Sequence, residues 1–137
     1  MRALLDVNVL IALLDVGHAF HPRATAWFRT NAREGWASCP ITQNGCVRSM
    51  SHTSYLNPVS VHAAIERLAE ATRHRIHEFW PDDISLLDSA RIHGPRQVTD
   101  LYLLALAVYH EGRCVTFDTG VTLSAVRGAQ KRHLLSL

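Results

Sequence analysis

The sequence MRALLDVNVLIALLD, residues 1–15, places a carboxylate between two apolar runs. Residues 2–5 predict a short buried strand, and residues 9–14 predict a helix that begins soon after it. Asp6 ends the strand, and a buried charge at that place needs a cation or several hydrogen-bond donors. In open α/β sheets the ends of such strands border the ligand crevice. Two interpretations are open: Asp6 anchors a metal site, or it only caps the following helix.

The composition is that of an ordinary globular chain. The 137 residues are 47% hydrophobic and 19% charged, which predicts one domain spanning residues 1–137. A formal net charge of +2 is too small to indicate nucleic-acid binding by itself. The N-terminus lacks the pattern of a signal peptide, no run of 18 apolar residues occurs, and the three cysteines have no zinc-site spacing. We therefore expect a cytoplasmic protein that does not enter a membrane.

Short apolar segments alternate with helical patterns along the whole chain. Strands are predicted at residues 2–5, 36–39, 74–80 and 114–117, with a closing strand near residues 133–137. This alternation predicts an α/β fold in which a mostly parallel central sheet of four to five strands is covered by helices on both faces.

The helix starts are predicted from capping residues. Pro22 suits the first turn of a helix, and Ser85 with Asp88 fits a capping box before a short one. The remaining predicted N-caps are Thr42, Ser60 and Thr99, the last before a long apolar helix over residues 100–110.

Three carboxylates fall at equivalent ends of the predicted elements. Asp6 ends the first strand, Asp118 ends the fourth, and Asp100 opens the long helix that precedes the fourth strand. If the strands are parallel, all three meet at one edge of the sheet. Oxygen ligands favour Mg²⁺ or Mn²⁺, which can activate a water and stabilise charge on a phosphoryl group. Asn8 and Thr116 are predicted to orient the ligands or the attacking water.

The sequence blocks that carry this pattern resemble a known family. They are LLDVNVLIALLD, CPITQNGCVRSMS, DDISLLD and RQVTDLYLLALAVYHEGRCVTFDTG, and they resemble the PIN domain of VapC-type toxins, metal-dependent ribonucleases of toxin–antitoxin pairs. The resemblance implies a PIN-like three-layer fold, with Asp6, Asp100 and Asp118 in three of the family's acidic metal positions. It also implies an endoribonuclease that uses Mg²⁺, with Mn²⁺ as a substitute, and leaves 3′-hydroxyl and 5′-phosphate ends.

The same resemblance implies partners. These are a VapB-type antitoxin that fills the site, a second copy of the chain in a homodimer, and an RNA substrate such as tRNA or rRNA.

The chain departs from the family pattern at one position. PIN domains usually carry a glutamate on the helix after the second strand, and residues 43–48 contain no acid. Asn44 is the expected occupant of that catalytic position, or Gln43 if the register differs by one. Metal affinity should then be weaker, and a second metal becomes doubtful. Arg48, one turn further on, and Arg96, just before Asp100, are candidate contacts for RNA phosphates.

Other classes of function compete with this interpretation. Asp100 can serve only as a first-turn helix acid, and Asp118 only as a turn residue. A phosphatase of the haloacid-dehalogenase type needs a second aspartate where this chain has Asn8. A degenerate PIN fold that binds RNA or a partner without catalysis is the stronger rival.

Two further sets of residues are interpreted as structural. His18 and His21 have the spacing of metal ligands, but histidines in such a loop are usually solvated. The larger aromatic residues are assigned to the core or its edge and not to a base-stacking surface; they are Trp27, Phe28, Trp36, Phe79 and Trp80.

Overall fold

A five-stranded parallel sheet forms the centre of the computed structural model, which describes residues 1–89 and 94–137 without the side chains of residues 88 and 89. The strands are β1 (Ala3–Leu5), β2 (Trp36–Ser38), β3 (His77–Phe79), β4 (Arg113–Thr116) and β5 (Leu134–Ser136). Their order across the sheet is β3-β2-β1-β4-β5, and each neighbouring pair is parallel. The predicted parallel α/β sheet is confirmed, with β1 at its centre.

Helices cover both faces of this sheet. They are α1 (Val7–Leu14), α2 (His21–Asn31), α3 (Pro40–Ser51), α4 (Val61–Thr72), α5 (Leu86–Ser89) and α6 (Val98–Tyr109). Because side chains alternate along a strand, Leu4 enters the core that contains α6, whereas Ala3 and Leu5 enter the core that contains α1 and α3. The result is the three-layer arrangement that the sequence predicted. No helix in the described part of the chain is long and apolar enough to cross a membrane.

Two predicted helix caps are wrong. Helix α3 begins at Pro40 after Cys39, and Thr42 lies inside its first turn, where its hydroxyl accepts a hydrogen bond from the Cys39 amide at 3.0 Å. Proline suits this place because the first helical amide has no intrahelical partner to lose. Helix α6 begins at Val98, not after Thr99, because a 3₁₀ turn over Pro95–Gln97 runs directly into it.

Other boundaries agree more closely. Ser60 caps α4 as predicted, and its hydroxyl accepts from the Ala63 amide at 3.0 Å. Strand β3 is shorter than expected, since the chain is still turning where the His77 amide donates to the His74 carbonyl at 2.8 Å. The Leu87 amide donates to the Ser85 hydroxyl at 3.2 Å. The other half of that predicted capping box is the side chain of Asp88, which lies outside the described part of the structure.

Candidate functional site

The three predicted acidic residues lie at one edge of the sheet. Asp6 directly follows β1, and Asp118 is the second residue after β4. These two strands are parallel neighbours, with Leu5 level with Val115, so their carboxyl ends lie side by side. Asp100 is the third residue of α6, whose N-terminus points to the same edge. The edge predicted from the order of the elements is therefore the one observed.

The Thr116 hydroxyl connects the polar side chains at this edge. It donates to Asp6 Oδ2 at 2.6 Å and accepts from Asn8 Nδ2 at 3.2 Å and from the Asp118 amide at 3.0 Å. Asn8 Oδ1 in turn accepts from the Phe117 amide at 3.3 Å. Thr116 is 1% exposed, so these contacts are shielded from solvent. Asn8 and Thr116 thus lie beside Asp6, where the sequence placed them.

Asp6 both caps a helix and faces the other acids. Its Oδ1 accepts from the Val7 amide at 2.7 Å at the start of α1, which is the contact that the simpler interpretation required. Its Oδ2 accepts from the Thr116 hydroxyl, and the charge of Asp118 also acts on this carboxyl group. The capping contact therefore uses Oδ1 alone, and Oδ2 belongs to the hydrogen-bond network around Thr116.

Hydrogen bonds from the C-terminal end of β5 hold the backbone around Asp118 in place. The Ser136 hydroxyl donates to the Asp118 carbonyl at 2.8 Å, and the Leu137 amide donates to the Thr116 carbonyl at 2.9 Å. Asp118 Oδ1 accepts from the Gly120 amide at 2.7 Å, which closes a turn of the Asx type. The Asp118 side chain is nevertheless exposed to solvent, and it also forms a hydrogen bond with the Asp100 side chain.

Burial and neighbouring charges raise the pKa values of Asp6 and Asp100. Burial raises the pKa of Asp6, and the charge of Asp118 adds to this, although the hydrogen bonds from Thr116 and Val7 act in the opposite direction. Burial also raises the pKa of Asp100 to about 6, with further contributions from the charges of Asp6 and Asp118 and from a hydrogen bond with Asp118. This is the electrostatic pattern of a site that is stabilised by a bound cation.

The donor chemistry fits Mg²⁺ or Mn²⁺, but the side chains do not enclose an ion. Every polar side chain at this edge offers oxygen ligands, which hard divalent cations prefer. Within residues 1–89 and 94–137, no three histidine, cysteine, aspartate or glutamate side chains form a group that could hold a metal ion as placed. The three cysteines are free and buried elsewhere in the two cores. Asp6, Asp100 and Asp118 therefore supply suitable ligands in an open arrangement.

Asn44 lies in a groove between α3 and α4. Gln43, Asn44 and Arg48 line this groove, which has a volume of about 680 Å³ and a floor of apolar α4 residues. The Gln43 side chain donates through Nε2 to the Ser38 hydroxyl at 2.9 Å. The α3 residue that contacts the neighbourhood of Asp6 is Gly45, because a Cβ added there would lie 2.6 Å from Val7 Cγ2. The position of Asn44 in this groove does not test its catalytic role, which stays a prediction.

The remaining predicted site residues lie at the surface. Arg48 is exposed on α3, and Arg96 is exposed in the 3₁₀ turn just before α6. His18 Nδ1 accepts from the Phe20 amide at 3.0 Å, and His21 Nδ1 donates to the Ala12 carbonyl at 2.7 Å. These bonds give the two histidines a structural role in the loop before α2.

One feature of this edge was missed by the sequence analysis. The rings of Phe20 and Phe117 pack with centroids 4.9 Å apart, and Phe117 stands between Thr116 and Asp118 in the chain. Of the aromatic residues assigned to the core, Trp36 and Trp80 are buried, whereas Phe79 is half exposed. The available signal was Phe20, a large aromatic residue within a short predicted loop.

The comparisons with known proteins agree with this architecture. The PIN domain family model matches residues 3–128. The chain therefore belongs to the PIN-domain family, in its VapC branch.

Three relatives come from Mycobacterium tuberculosis (strain H37Rv). Ribonuclease VapC44 is 58% identical over the full length of both chains. Ribonuclease VapC39 is 44% identical over 93% of this chain and 96% of its own length. Ribonuclease VapC38 is 42% identical over 98% and 99%.

A solved structure gives independent support for the fold. A chain in the crystal structure of VapBC2 from Rickettsia felis bound to a DNA fragment from their promoter superposes with a TM-score of 0.57. The match has 14% sequence identity and covers 86% of this chain and 89% of that one. At that identity the likeness concerns the fold alone.

Proposed function

We propose that this protein is an Mg²⁺- or Mn²⁺-dependent endoribonuclease that hydrolyses phosphodiester bonds in RNA. The observation that carries the proposal is the charge coupling of Asp6, Asp100 and Asp118 at the carboxyl edge of the sheet. Three carboxylates that repel one another are an unfavourable arrangement for a purely structural edge. Membership of a family branch whose relatives are named ribonucleases supports the same reaction.

Each residue of the edge has a distinct task in this proposal. Asp6, Asp100 and Asp118 would hold the ion, which supplies a nucleophile from water and stabilises charge on the phosphoryl group. Thr116 fixes the orientation of the Asp6 carboxylate, and Asn8 fixes Thr116. Such outer contacts hold ligands in their productive orientation.

The amide at Asn44 distinguishes this site from a four-acid one. Asn44 brings no negative charge to the edge, so the ion is held by three carboxylates at most. We infer weaker metal binding and one ion in place of two. Arg48 and Arg96 are exposed cations that would contact the RNA phosphates on either side of the scissile bond.

The same proposal includes partners and location. We infer a VapB-type antitoxin that blocks the acidic edge, because the chain belongs to the VapC branch of its family. A homodimer in the cytoplasm, with tRNA or rRNA as the substrate, completes the proposal.

A second candidate function is a PIN module that binds RNA or a protein without cutting. The observation that favours it is the absence of a carboxylate at residues 43–48 on α3. Binding of this kind requires neither the metal nor the Asp6 charge, whereas hydrolysis requires both.

Cleavage of total RNA tests the proposal. The antitoxin-free protein is incubated with RNA in Mg²⁺ or Mn²⁺, with and without EDTA, beside Asp6→Asn and Asp100→Asn. The matched control is Asp83→Asn, since Asp83 pairs with His110 at the other end of α6 at 3.1 Å. We expect discrete fragments from the wild type and the control only, and only with the metal. Uncut RNA in every lane, or cleavage that survives Asp6→Asn, would reject the mechanism.

A further inference from the structure

Four side chains form a small aromatic and basic surface beside the acidic edge. Phe20 is 45% exposed, and its ring packs against Phe117 with centroids 4.9 Å apart. The Arg23 guanidinium lies 5.9 Å from the centre of the Phe20 ring, within reach of a cation–π contact. The His18 ring lies 5.9 Å from the same ring on a tilted plane. We call these four residues the Phe20 platform.

The Phe20 platform is continuous with the proposed active site through Phe117. The Phe117 amide donates to Asn8 Oδ1, and Asn8 Nδ2 donates to the Thr116 hydroxyl that holds Asp6. Asp118 follows Phe117 directly in the chain. A nucleotide strand with one phosphate at the acids can therefore place a neighbouring base over Phe20.

The loop that presents Phe20 is held in one conformation. The amides of Phe20 and Gly17 donate to His18 Nδ1 at 3.0 Å and to Asp15 Oδ1 at 2.9 Å. Asp15 also accepts from the Tyr55 hydroxyl, and His21 donates to the Ala12 carbonyl at 2.7 Å. An exposed ring that is fixed before binding loses little conformational entropy when it stacks on a ligand.

We propose that the Phe20 platform binds an unpaired nucleobase of the RNA substrate, next to the scissile phosphate, by stacking on the Phe20 ring. Arg23 contributes a contact to a flanking phosphate. This inference rests on the proposed ribonuclease function and adds to it a subsite for single-stranded RNA. Stacking tolerates every base because each presents a π-face, so the platform positions the strand and does not read its sequence.

The charges of the two surfaces favour RNA over an apolar peptide. Three carboxylates at the acidic edge repel a phosphate backbone, so a strand that binds there needs attraction from nearby groups. Arg23 supplies a charge, and Phe20 supplies a contact that does not depend on charge. Arginine beside an exposed aromatic ring is the combination found in grooves that bind single strands. A hydrophobic segment of a protein partner could also pack on Phe20, but an aliphatic side chain at position 20 would serve such a contact equally well.

Binding of a single-stranded RNA oligonucleotide tests the Phe20 platform. The probe is a 12-nucleotide RNA of mixed sequence with a terminal fluorescein, titrated in Mg²⁺ with the Asp6→Asn protein, which binds without cutting. Phe20→Ala and Phe20→Leu should each weaken binding by roughly five- to 150-fold, and Phe20→Trp should retain it. Tyr109→Leu is the matched control, because Tyr109 is 59% exposed at the far end of α6 and should have no effect.

The salt dependence separates stacking from charge. Phe20→Leu should leave the slope of log Kd against log salt unchanged, whereas Arg23→Gln should reduce it by about 0.7, the value for one phosphate of a single strand. Circular dichroism of each variant confirms that it is folded.

Several results would overturn the proposal. They are wild-type binding by Phe20→Leu, weak binding by Phe20→Trp, or no binding of the probe by the protein that retains Phe20. Loss of antitoxin capture with unchanged RNA binding would instead assign this surface to the protein partner. If the wild type cuts no RNA but the Phe20 variants behave as expected, the ribonuclease function fails and the platform stands.

Discussion

Replacing Asp100 by asparagine is expected to stabilise the metal-free protein by about 1 kcal/mol at neutral pH. Burial and the charges of Asp6 and Asp118 raise the pKa of Asp100 from 3.8 to about 6. The folded state is therefore penalised for carrying this charge above about pH 6. The penalty shrinks as the pH falls from about 6 towards 3.8, and it is absent below the unfolded-state pKa of 3.8, where Asp100 is protonated in both the folded and the unfolded chain. The gain from Asp100→Asn should follow the same pH dependence.

The magnitude comes from two opposing effects. A pKa of about 6 in place of 3.8 corresponds to roughly 3 kcal/mol at full strength, and the solvent that reaches this half-buried group reduces that to about 1–2 kcal/mol. Asp100 also lies in the first turn of α6, where the helix dipole favours a negative charge by about 0.3–1 kcal/mol. The cost of burying the charge, together with repulsion from Asp6 and Asp118, exceeds this benefit, so Asp100→Asn should raise the free energy of unfolding.

Urea denaturation in EDTA, followed by circular dichroism at pH 7.5 and pH 4, measures this difference. Glu66→Gln is the control, because Glu66 is an exposed carboxylate on α4 that pairs with His62, and its replacement should change stability by less than about 0.5 kcal/mol. Mg²⁺ should then raise the stability of the wild type more than that of Asp100→Asn, since a ligand stabilises the state that binds it.

Two outcomes would refute the reasoning. A loss of stability in Asp100→Asn at pH 7.5 without metal would show that the carboxylate is structural and that the helix dipole or an unrecognised partner dominates. A gain of equal size at pH 4 and pH 7.5 would show that the effect does not arise from ionisation of Asp100.

Three further predictions concern the same edge. Thr116→Val should destabilise the fold by about 1–3 kcal/mol by urea denaturation, because Asp6 Oδ2 loses the hydroxyl that donates to it; stability equal to the wild type would contradict this. Gly45→Ala should lower the melting temperature, since its Cβ would lie 2.6 Å from Val7 Cγ2 and overpacking costs about 1–3 kcal/mol; an unchanged melting temperature would mean that α3 moves freely. Asn44→Glu should tighten Mn²⁺ binding by calorimetry, and unchanged affinity would remove Asn44 from the site.

The parts of the fold that the sequence predicted depend on local patterns. The apolar run of β1 ends at Asp6, and the regular alternation of strands and helices restricts the topology to a parallel sheet. The capping prediction succeeded at Ser60, which directly precedes the first residue of the amphipathic helix α4. It failed at Thr42 and Thr99, because Pro40 and Pro95 are themselves the first residues of helical turns that begin before these threonines. Pro58, two residues before Ser60, does not begin a helical turn.

The meeting of the acids followed from the order of the elements, whereas their surroundings did not. A parallel sheet brings the ends of β1 and β4 together whatever the side chains are, so Asp6 and Asp118 were paired correctly. The position of Asn44 depends on the rotation of α3 about its axis. Gly45 packs closely against Val7, and this contact restricts the rotation of α3. A contact between two helices cannot be predicted from the residues of α3 alone.

Hydrophobic periodicity and the order of the elements can be read along the chain, so the fold class and the sheet edge at which chemistry is proposed followed from the amino-acid sequence. The raised pKa of Asp100 and the packing of Phe20 against Phe117 became apparent in the folded structure. Both depend on contacts between residues far apart in the chain. Burial and Coulomb interactions depend on distance in space, and that distance is set when the sheet and its two layers of helices pack together.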